Sequence, residues 1–501
     1  MNINLDPDSC YRAIQTKDVR FDGRIFVGVR TTGIFCRPIC PAQTPNRENC
    51  QFFANAATAY ESGFRPCLRC RPELSPNLLS QVGTAATVSR SLRLIAAGAL
   101  NDGTVAELAA RVGVSDRHLR KLFMKHLGTS PIAVAQTQRL LFAKQLLDET
   151  SLSITDVAMA AGFSSLRRFN TVIRETYQRS PTELRNRLSK PGVAAQTPDI
   201  TIKLPFSPPY HWAAFTQFLS PRVTPGLEAV GPNGYRRTIV LDGVHGVVEI
   251  RPVHHQNYLI ASIRFAKVAR LAQIVERLRR LLDLDAHVSE IAAHLQQDAR
   301  LGPVVLMFPG LRIPGAWDAF ELAIRAILGQ QVSVAAATTL AGRLVRTYGD
   351  RLMIDGMPWV DSELQFVFPH PERLATADLT AIGIPRSRAI AITTLAATVA
   401  ENHQFLTRFQ SLEDAVHQLS QLPGIGEWTA HYIAMRGLRE PDAFPAADLG
   451  LLRAMQQLGH SVTKAELLAL SQAWHPWRDY AAMVLWSSLN STVSTQEKQL
   501  A

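Results

Sequence analysis

The sequence has no long hydrophobic run, and nowhere does it reach the roughly 18 consecutive apolar residues that crossing a bilayer requires. Its first residues, MNINLDPDSC, lack the basic stretch followed by an apolar stretch that marks a secretory leader. Cysteine is absent after Cys70, so all 6 cysteines lie in the N-terminal part of the chain. These absences argue against a membrane-spanning protein. They predict a cytoplasmic chain with metal or thiol chemistry in one small domain, and without disulfides.

Acidic residues are fewer than basic ones: the sequence has 42 Asp and Glu and 53 Lys and Arg, which gives a net charge of +11. An excess of positive charge favours a polyanionic partner, since each Lys or Arg set against a phosphate releases a condensed counterion. Ribosomal and membrane-surface proteins share this bias. At 501 residues the chain is too long for one hydrophobic core, so several domains are expected.

Changes in residue pattern along the chain predict four domains and a multidomain architecture that is mainly α with α+β parts. In chain order we expect a small zinc-bound α+β domain, a domain of amphipathic helices, a small α+β domain with an antiparallel sheet, and an all-α domain. Their predicted bounds are 1–78, 79–190, 200–285 and 286–490. The composition of 189–198 is typical of a linker, and that of the last dozen residues is typical of a solvated tail.

Two close cysteine pairs stand out. Cys36 and Cys40 are followed, after 26 residues, by Cys67 and Cys70. This spacing lets four thiolates close a tetrahedron around one Zn2+. A purely structural zinc ribbon is the simplest interpretation of the spacing alone.

The residues around these pairs resemble the N-terminal domain of the bacterial Ada methylation-repair regulators. The motifs are FVGVRTTGIFCRPIC at 26–40 and GFRPCLRC at 63–70. The resemblance implies that Cys36 takes a methyl group irreversibly from a methylated DNA phosphotriester, and that the other three cysteines of the pairs are the remaining zinc ligands. Cys10 and Cys50 fall outside the motifs and are interpreted as buried or surface thiols.

The chemistry of such a centre is coherent. Zinc keeps a bound thiol deprotonated at neutral pH, so a nucleophile is present without a separate base. Four thiolates on one divalent cation carry an excess of negative charge that repels the DNA backbone. Methylation of Cys36 removes one of those negative charges, and repair is therefore expected to raise the affinity for DNA.

An internal repeat occupies the second predicted domain. The segments 105–115 and 116–123 predict a helix, a Gly-containing turn and a second helix, and 154–164 with 165–169 repeat the pattern. Each copy ends in a Ser-Pro pair. A single pattern of this kind is often only two packed helices. The duplicated unit resembles the DNA-binding domain of the AraC-type regulators, in which the second helix enters the major groove. The cations that become candidates for base or phosphate contact are Arg117, His118, Arg120, Lys121, Arg167 and Arg168.

The C-terminal half contains a Gly-x-Gly hairpin, LPGIGEWTA, at 422–430. Its Gly424 and Gly426 expose backbone N–H groups that can grip a DNA phosphate without reading sequence. The loop FPAAD at 444–448 then supplies Asp448 before the next apolar helix. Hairpin, loop and aspartate in this order resemble the helix-hairpin-helix DNA glycosylases. The alternatives are a hairpin module without catalysis and an aspartate that only caps a helix.

The resemblance narrows to the AlkA-type 3-methyladenine glycosylases over about 201–490. The further motifs that carry it are PPYHW at 208–212, WDAFE at 317–321, RAILGQ at 325–330 and WHPWRDY at 474–480. It implies that Asp448 is the catalytic carboxylate. It also implies an aromatic lining of the base pocket, although aromatics at helical spacing usually form core. That lining is Phe218, Trp428, Tyr432 and Trp486. Gln331 occupies the position of an apolar wedge into the duplex, where it would stack less well.

The implied reaction suits these residue types. An alkylated purine carries positive charge and is already a good leaving group, so the base need only be flipped out and stacked on aromatic faces. One carboxylate then stabilises the oxocarbenium-like sugar and orients water. Trp428 stands where lyase-competent relatives of this superfamily place a Schiff-base lysine. We therefore predict a monofunctional glycosylase that leaves an abasic site.

Together these features predict a repair and response protein for alkylation damage. It is expected to release purines of the 3-methyladenine and 7-methylguanine type, to accept methyl groups on Cys36, and to regulate transcription when methylated. Its expected partners are alkylated DNA, operator DNA and RNA polymerase, with no membrane, and its expected state is a monomer that holds one Zn2+. The alternative is a methylation-responsive transcription factor whose glycosylase half only binds DNA.

Overall fold

The structure is a computed structural model that describes residues 6–76, 86–186, 199–232 and 234–489. The predicted linker at 189–198 and the predicted tail from 490 onward lie outside the described residues. Within those ranges no helix combines the length and the apolar character that a bilayer crossing requires. The chain divides into two compact units. Unit 1 is Met1–Ser207, Leu241–Arg279 and Leu284–Ala286, and unit 2 is Pro208–Val240, Arg280–Asp283 and His287–Ala501.

Unit 1 begins with a small α+β fold, as the sequence predicts. Its elements are α1 Pro7–Gln15, β1 Phe26–Val29, β2 Ile34–Cys36, β3 Cys50–Phe53, α2 Ala56–Glu61 and β4 Arg65–Pro66. The strand order is β3-β1-β2-β4, with β2 and β4 parallel and the other pairs antiparallel. Gly28 is required in β1, because a Cβ there would lie 2.9 Å from the rings of both Phe53 and Phe64. These rings close over the sheet and form its core.

The repeated sequence pattern is a repeated structure. Its helices are α3 Ala86–Ala96, α4 Val105–Arg111, α5 Asp116–Leu127, α6 Pro131–Glu149, α7 Ile154–Ala160, α8 Leu166–Tyr177 and α9 Pro181–Asn186. Ser115 and Ser165 cap the second helix of each copy, with their side chains accepting the N–H groups of His118 and Arg168. Gly113 and Gly162 make the turns at φ values of +75° and +83°, a region that favours glycine. The two helix-turn-helix units therefore begin and turn at equivalent positions.

The antiparallel strands predicted after residue 200 are present. The elements of this region are β5 Ile200–Pro205, α10 Trp212–Leu219, β6 Glu228–Gly231, β7 Gly234–Leu241, β8 Val244–Pro252, β9 Tyr258–Phe265 and α11 Leu271–Leu281. Strands β5, β9 and β8 pair antiparallel in that order, and β6 pairs antiparallel with β7. Burial alternates residue by residue along β9, which is the pattern of a strand with one face on a core.

The rest of unit 2 is mainly helical. Its elements are α12 Val288–Leu295, α13 Gly302–Met307, α14 Ala319–Leu328, α15 Val334–Tyr348, β10 Met353–Ile354, β11 Met357–Pro358, α16 Pro371–Ala375, α17 Arg386–Glu401, α18 Leu412–Ser420, α19 Glu427–Ile433, α20 Leu449–Gln457, α21 Lys464–Leu470 and α22 Arg478–Ser488. The sequence predicts an all-α region here, but the structure also contains the short β10–β11 hairpin. Its turn is Asp355-Gly356 with both φ values positive, the Asp-Gly sequence that two-residue hairpin turns prefer.

Buried charges fix the centre of unit 2. Arg237 Nη2 lies 2.6 Å from Glu321 Oε2, and Arg325 Nη1 lies 2.8 Å from Glu228 Oε2 and 3.1 Å from Glu321 Oε1. Burial alone would raise the pKa of Glu228, but the two arginines lower it to about 2. Two arginines thus balance two glutamates, and the motifs at 317–321 and 325–330 supply part of this network.

Candidate functional site

The four predicted metal ligands converge at the ends of β2 and β4. Every pair of their sulfur atoms lies within 4.8 Å: Cys36, Cys40, Cys67 and Cys70. A zinc tetrahedron with bonds of about 2.3 Å needs sulfurs roughly 3.8 Å apart, so the cluster has the size that the metal requires. The backbone N–H groups of Arg37 and Arg69 lie 3.3 and 3.4 Å from the sulfurs of Cys70 and Cys67 and donate to them. One Zn2+ with four cysteine ligands fits these residues.

Exposure divides the ligands into two pairs. Cys67 and Cys70 are buried, whereas Cys36 and Cys40 are partly exposed. Hydrogen bonding with Cys36 lowers the pKa of Cys40 to about 7, while contact with the neighbouring sulfurs, led by Cys40, raises the pKa of Cys36. Four thiols this close ionise together only around a cation. Since exposure does not separate Cys36 from Cys40, the choice of Cys36 as methyl acceptor rests on the resemblance. Cys10 and Cys50 are buried and do not belong to the group of four sulfurs, although Cys36 packs against the small core that contains Cys50.

Buried ion pairs tie the cysteine loop to the long helix α6. Arg71, which follows the last ligand at a φ of +54°, lies 3.1 Å from both Glu73 Oε1 and Asp148 Oδ2, and 3.2 Å from Glu149 Oε1. Lys144 on α6 pairs with Asp148 and lies 3.7 Å from Glu73. The metal centre and the helix-turn-helix repeat are therefore held together by largely buried charges.

The second helix of each repeat presents its cations to solvent. The predicted DNA contacts in α5 and α8 are all exposed: Arg117, His118, Arg120, Lys121, Arg167 and Arg168. Arg120 also pairs with Asp116 one turn earlier, at 2.7 Å. A positive surface on the two equivalent helices is what an approach to the phosphate backbone requires.

Asp448 lies at the N-terminus of α20, and both of its oxygens are bonded. Trp428 Nε1 donates to Oδ2 at 2.8 Å, and Trp486 Nε1 donates to Oδ1 at 2.9 Å. Oδ1 also accepts the Leu451 N–H at 3.0 Å, which caps the helix. Asp448 is thus a helix cap, and the same carboxylate is held by two indoles, while its catalytic role stays a prediction. We call Asp448 with the two indoles the carboxylate clamp.

The four predicted pocket aromatics form one cluster, which includes the two indoles of the carboxylate clamp. Trp428 stacks on Tyr432 with ring centroids 5.4 Å apart and an interplanar angle of 16°. Trp486 meets Tyr432 edge-on at 6.2 Å and Phe218 at 6.5 Å. Phe218 is buried, whereas the other three rings are partly exposed. An aromatic cluster with open edges next to a fixed carboxylate can receive a flat, flipped-out base.

The hairpin and the wedge position are exposed. Gly424 has a φ of +76°, and a Cβ at Gly426 would meet nothing within 4 Å, so a phosphate has room to approach the start of α19. Gln331 is exposed in the turn between α14 and α15, at a φ of +52°. Neither the wedge role of Gln331 nor the phosphate contact is tested by this geometry, and both stay predictions.

Gln330 and Gly450 support the site but were not predicted from the sequence. Gln330 donates from Nε2 to Gly424 O at 2.8 Å and lies 2.9 Å from Thr429 Oγ1, so it fastens the hairpin. A Cβ on Gly450 would lie 2.8 Å from Asp448 Oδ1 and 3.3 Å from the Trp486 ring. The sequence signal that could have identified Gly450 is a glycine in the first turn of a helix, two residues after Asp448.

Family models match the chain along most of its length. They are described as the metal binding domain of Ada at 9–73, a helix-turn-helix domain at 108–187, the AlkA N-terminal domain at 201–318, and an HhH-GPD superfamily base excision DNA repair protein at 324–478. A relative from Mycobacterium tuberculosis, named a probable bifunctional transcriptional activator/DNA repair enzyme AlkA, is 41% identical over 492 residues and covers 98% of each chain. The chain belongs to this family of bifunctional activator/repair enzymes.

Other similarities cover the C-terminal part of this activator/repair enzyme. The DNA-3-methyladenine glycosylase 2 of Escherichia coli is 35% identical over 289 residues, which are 56% of this chain and 95% of that protein. A 3-methyladenine DNA glycosylase structure from Archaeoglobus fulgidus shares the fold, with a TM-score of 0.51 and 24% identity over 58% of this chain and 99% of that one. The chain is therefore a DNA-binding repair and regulatory protein with a glycosylase domain and a zinc centre.

Proposed function

We propose that this activator/repair enzyme removes alkylated purines of the 3-methyladenine and 7-methylguanine type from duplex DNA. The observation that carries the proposal is the carboxylate clamp, in which indoles hold both oxygens of Asp448 beside an aromatic cluster. As the bond between C1′ and the base nitrogen breaks, its electron pair stays on the base, and a fixed carboxylate stabilises the positive charge left on the sugar. Water then adds to C1′ and gives up its proton through Asp448.

The same clamp supports hydrolysis without strand cleavage. Trp428 stands at the position of a Schiff-base lysine in lyase-competent relatives, and its indole nitrogen already donates to Asp448. An indole cannot attack C1′ to form an imine. The product of the proposed reaction is therefore an abasic site in an intact strand.

Base release from methylated duplex DNA by the purified full chain tests this function. We expect free 3-methyladenine from the unaltered protein, a fall of at least about 100-fold in Asp448→Asn with DNA affinity retained, and no covalent adduct after borohydride treatment. Unchanged release by Asp448→Asn, or a trapped adduct, contradicts the mechanism. An unaltered protein that binds the duplex but releases no base would favour the alternative of a glycosylase half that only binds DNA.

For the N-terminal centre we propose methyl transfer from a DNA methyl phosphotriester to Cys36. The Cys36 sulfur attacks the methyl carbon, the bond from that carbon to the ester oxygen breaks, and its electron pair returns to the phosphate as a diester anion. Zinc, when bound, supplies a deprotonated thiol at neutral pH. Cys36 is one of the two partly exposed ligands, and the buried Cys67 and Cys70 would retain the site afterwards.

Peptide mass spectrometry after exposure to methylated DNA tests the acceptor. We expect one methyl group on the Cys36 peptide and none in Cys36→Ser, while Cys10→Ser serves as a matched control because that thiol is buried outside the cluster. A methyl group on Cys40 would overturn the assignment, and no methyl group on any ligand would leave zinc as structure only. We further propose that methylation of Cys36 regulates transcription by raising the affinity for DNA, because it removes one negative charge from the centre. Methylated and unmethylated protein with equal DNA affinity at matched salt would contradict this.

A further inference from the structure

Two guanidinium groups lie against the aromatic cluster that is proposed to receive the base. Arg222 Cζ lies 4.0 Å from the centroid of the Phe218 ring, and Arg436 Cζ lies 5.0 Å from the same centroid and 5.5 Å from that of Tyr432. In the described parts of the chain, no carboxylate lies within ion-pair distance of either guanidinium. A pocket expected to attract cationic bases thus already holds two positive charges.

Both arginines are fixed in place. Arg222 follows α10 in the short turn Ser220–Arg222, and its Nη1 donates to Phe218 O at 2.8 Å. Arg325 of the buried charge network donates in turn to Arg222 O. Arg436 lies in the π-helical turn Ala434–Leu438, donates from Nε to Pro314 O at 2.7 Å, and is almost fully buried. Such turns are frequent at functional sites.

The hydroxyl of Tyr432 reports the positive potential of this region. Burial alone would raise the pKa of Tyr432, but the charges of Arg436 and Arg222, with the 2.6 Å hydrogen bond from Arg436 Nη1, bring it below its usual value. The pKa of Arg222 is itself lowered, first by burial and then by the charge of Arg436, while Tyr432 and Asp448 oppose that shift. One edge of the site is therefore positive, and the carboxylate clamp supplies the negative charge.

We propose that Arg222, supported by Arg436, is a specificity-determining residue whose charge favours the departing base over the bound cationic base. This inference rests on the proposed glycosylase function. When C1′ and the base nitrogen part, the electron pair stays on the base, so the ring becomes one unit more negative and the sugar one unit more positive. A cationic alkylpurine leaves neutral, and the repulsion that Arg222 exerts on it disappears. A neutral purine lesion leaves as an anion, which Arg222 stabilises.

The consequence of this charge differs between the binding of the base and its cleavage. Aromatic faces alone would bind a positively charged base more tightly than a neutral one. Arginine beside the same faces weakens the binding of the cationic base but assists the cleavage of either class. The binding affinities of cationic and neutral purine lesions are thus expected to lie closer together than their ring charges suggest.

Single-turnover base release by the full chain tests the role of Arg222. The substrates are one duplex with a cationic 7-methylguanine and one with neutral hypoxanthine, and the variants are Arg222→Gln and Arg222→Lys. In Arg222→Gln we expect the cleavage rate to fall about tenfold or more on both bases, while KM falls for the cationic duplex and does not fall for the neutral one. Arg222→Lys, which keeps the charge, should recover most of both rates. The matched control is Arg373→Gln, which removes the same charge from an exposed side chain paired with Asp350. We expect this variant to leave the cleavage rate and the KM unchanged for both duplexes.

Two results would overturn the inference while leaving the proposed function intact. One is an Arg222→Gln variant that cleaves both duplexes at the unaltered rate. The other is an equal loss on both, with KM raised for both and no recovery in Arg222→Lys, which is the signature of a purely structural arginine. An unaltered protein that releases neither base would instead refute the proposed function, and this inference with it.

Discussion

At the scale of single residues, Asp448 makes two kinds of contact. It caps α20 through the Leu451 N–H, and it accepts an indole N–H on each oxygen. A cap fixes the carboxylate relative to the helix, and the indoles fix its rotation. Because all three bonds end on one carboxylate at the start of α20, a small change in that first turn is expected to disturb the carboxylate more than a change elsewhere in the core.

Gly450→Ala tests that expectation. The added Cβ would lie 2.8 Å from Asp448 Oδ1 and against the Trp486 ring, so the carboxylate or the indole must shift. We expect base release to slow about tenfold or more, with a free energy of unfolding close to that of the unaltered protein, since alanine favours the helix. Gly231→Ala is the control, because a Cβ there meets nothing within 4 Å. Equal rates for both variants would show that the clamp tolerates displacement.

At the scale of elements, the two helix-turn-helix copies differ at one equivalent position. Gly128 ends α5 at a φ of +70°, and Gln178 ends α8 at +54°. Glycine takes this left-handed conformation without strain, whereas a residue with a Cβ does not. The second copy therefore carries a strained C-cap that the first copy avoids.

Exchanging this residue should change stability in a predictable direction. We expect Gln178→Gly to raise the free energy of unfolding of the helix-turn-helix repeat by about 0.5–1 kcal/mol. We expect Gly128→Gln to lower the same free energy by about 1 kcal/mol. Denaturant unfolding of the full chain measures both. Gln178→Ala, which removes the side-chain bond to Glu175 O but keeps the strain, should bring no gain. A stabilised alanine variant would show that the side chain, and not the backbone, carries the effect.

The element bounds that the sequence predicted well are those with local causes. Ser115 and Ser165 cap helices, and Gly113 and Gly162 form the turns between them. The repeat could therefore be predicted from the residues within it. The four metal ligands could also be predicted, because the geometry of the metal limits the spacing of its cysteine ligands along the chain. What the sequence did not reveal depends on partners far along the chain, as with Gln330 and Gly424, or Arg222 and Arg325. The assignment of pocket roles came from resemblance and stays a prediction.

At the scale of the whole molecule, each compact unit contains one candidate centre. The four cysteines and the helix-turn-helix repeat belong to unit 1, whereas Asp448 and the aromatic cluster belong to unit 2. No cysteine contributes to the second centre, since none follows Cys70. The two chemistries therefore have separate requirements, although they share one chain.

Metal removal should separate them. After chelation we expect methyl acceptance to be lost and the thermal unfolding of unit 1 to shift down, because structural zinc sites contribute on the order of 10 kcal/mol to folding. Release of 3-methyladenine at a temperature below that transition should persist at close to its original rate. Calorimetry and base release on the same sample make the comparison, and readdition of Zn2+ is the control. Loss of base release together with the metal would show that unit 2 depends on the zinc centre.

The carboxylate clamp also makes the site an optical reporter. Of the 7 tryptophans in the chain, Trp428 and Trp486 donate their indole protons to the same carboxylate. Emission from an indole shifts when the charge or the hydrogen bond at its nitrogen changes. Asp448→Asn should therefore alter the intrinsic fluorescence of the protein alone, and the arrival of a purine against these rings should quench it, so occupancy of the site can be followed without any label.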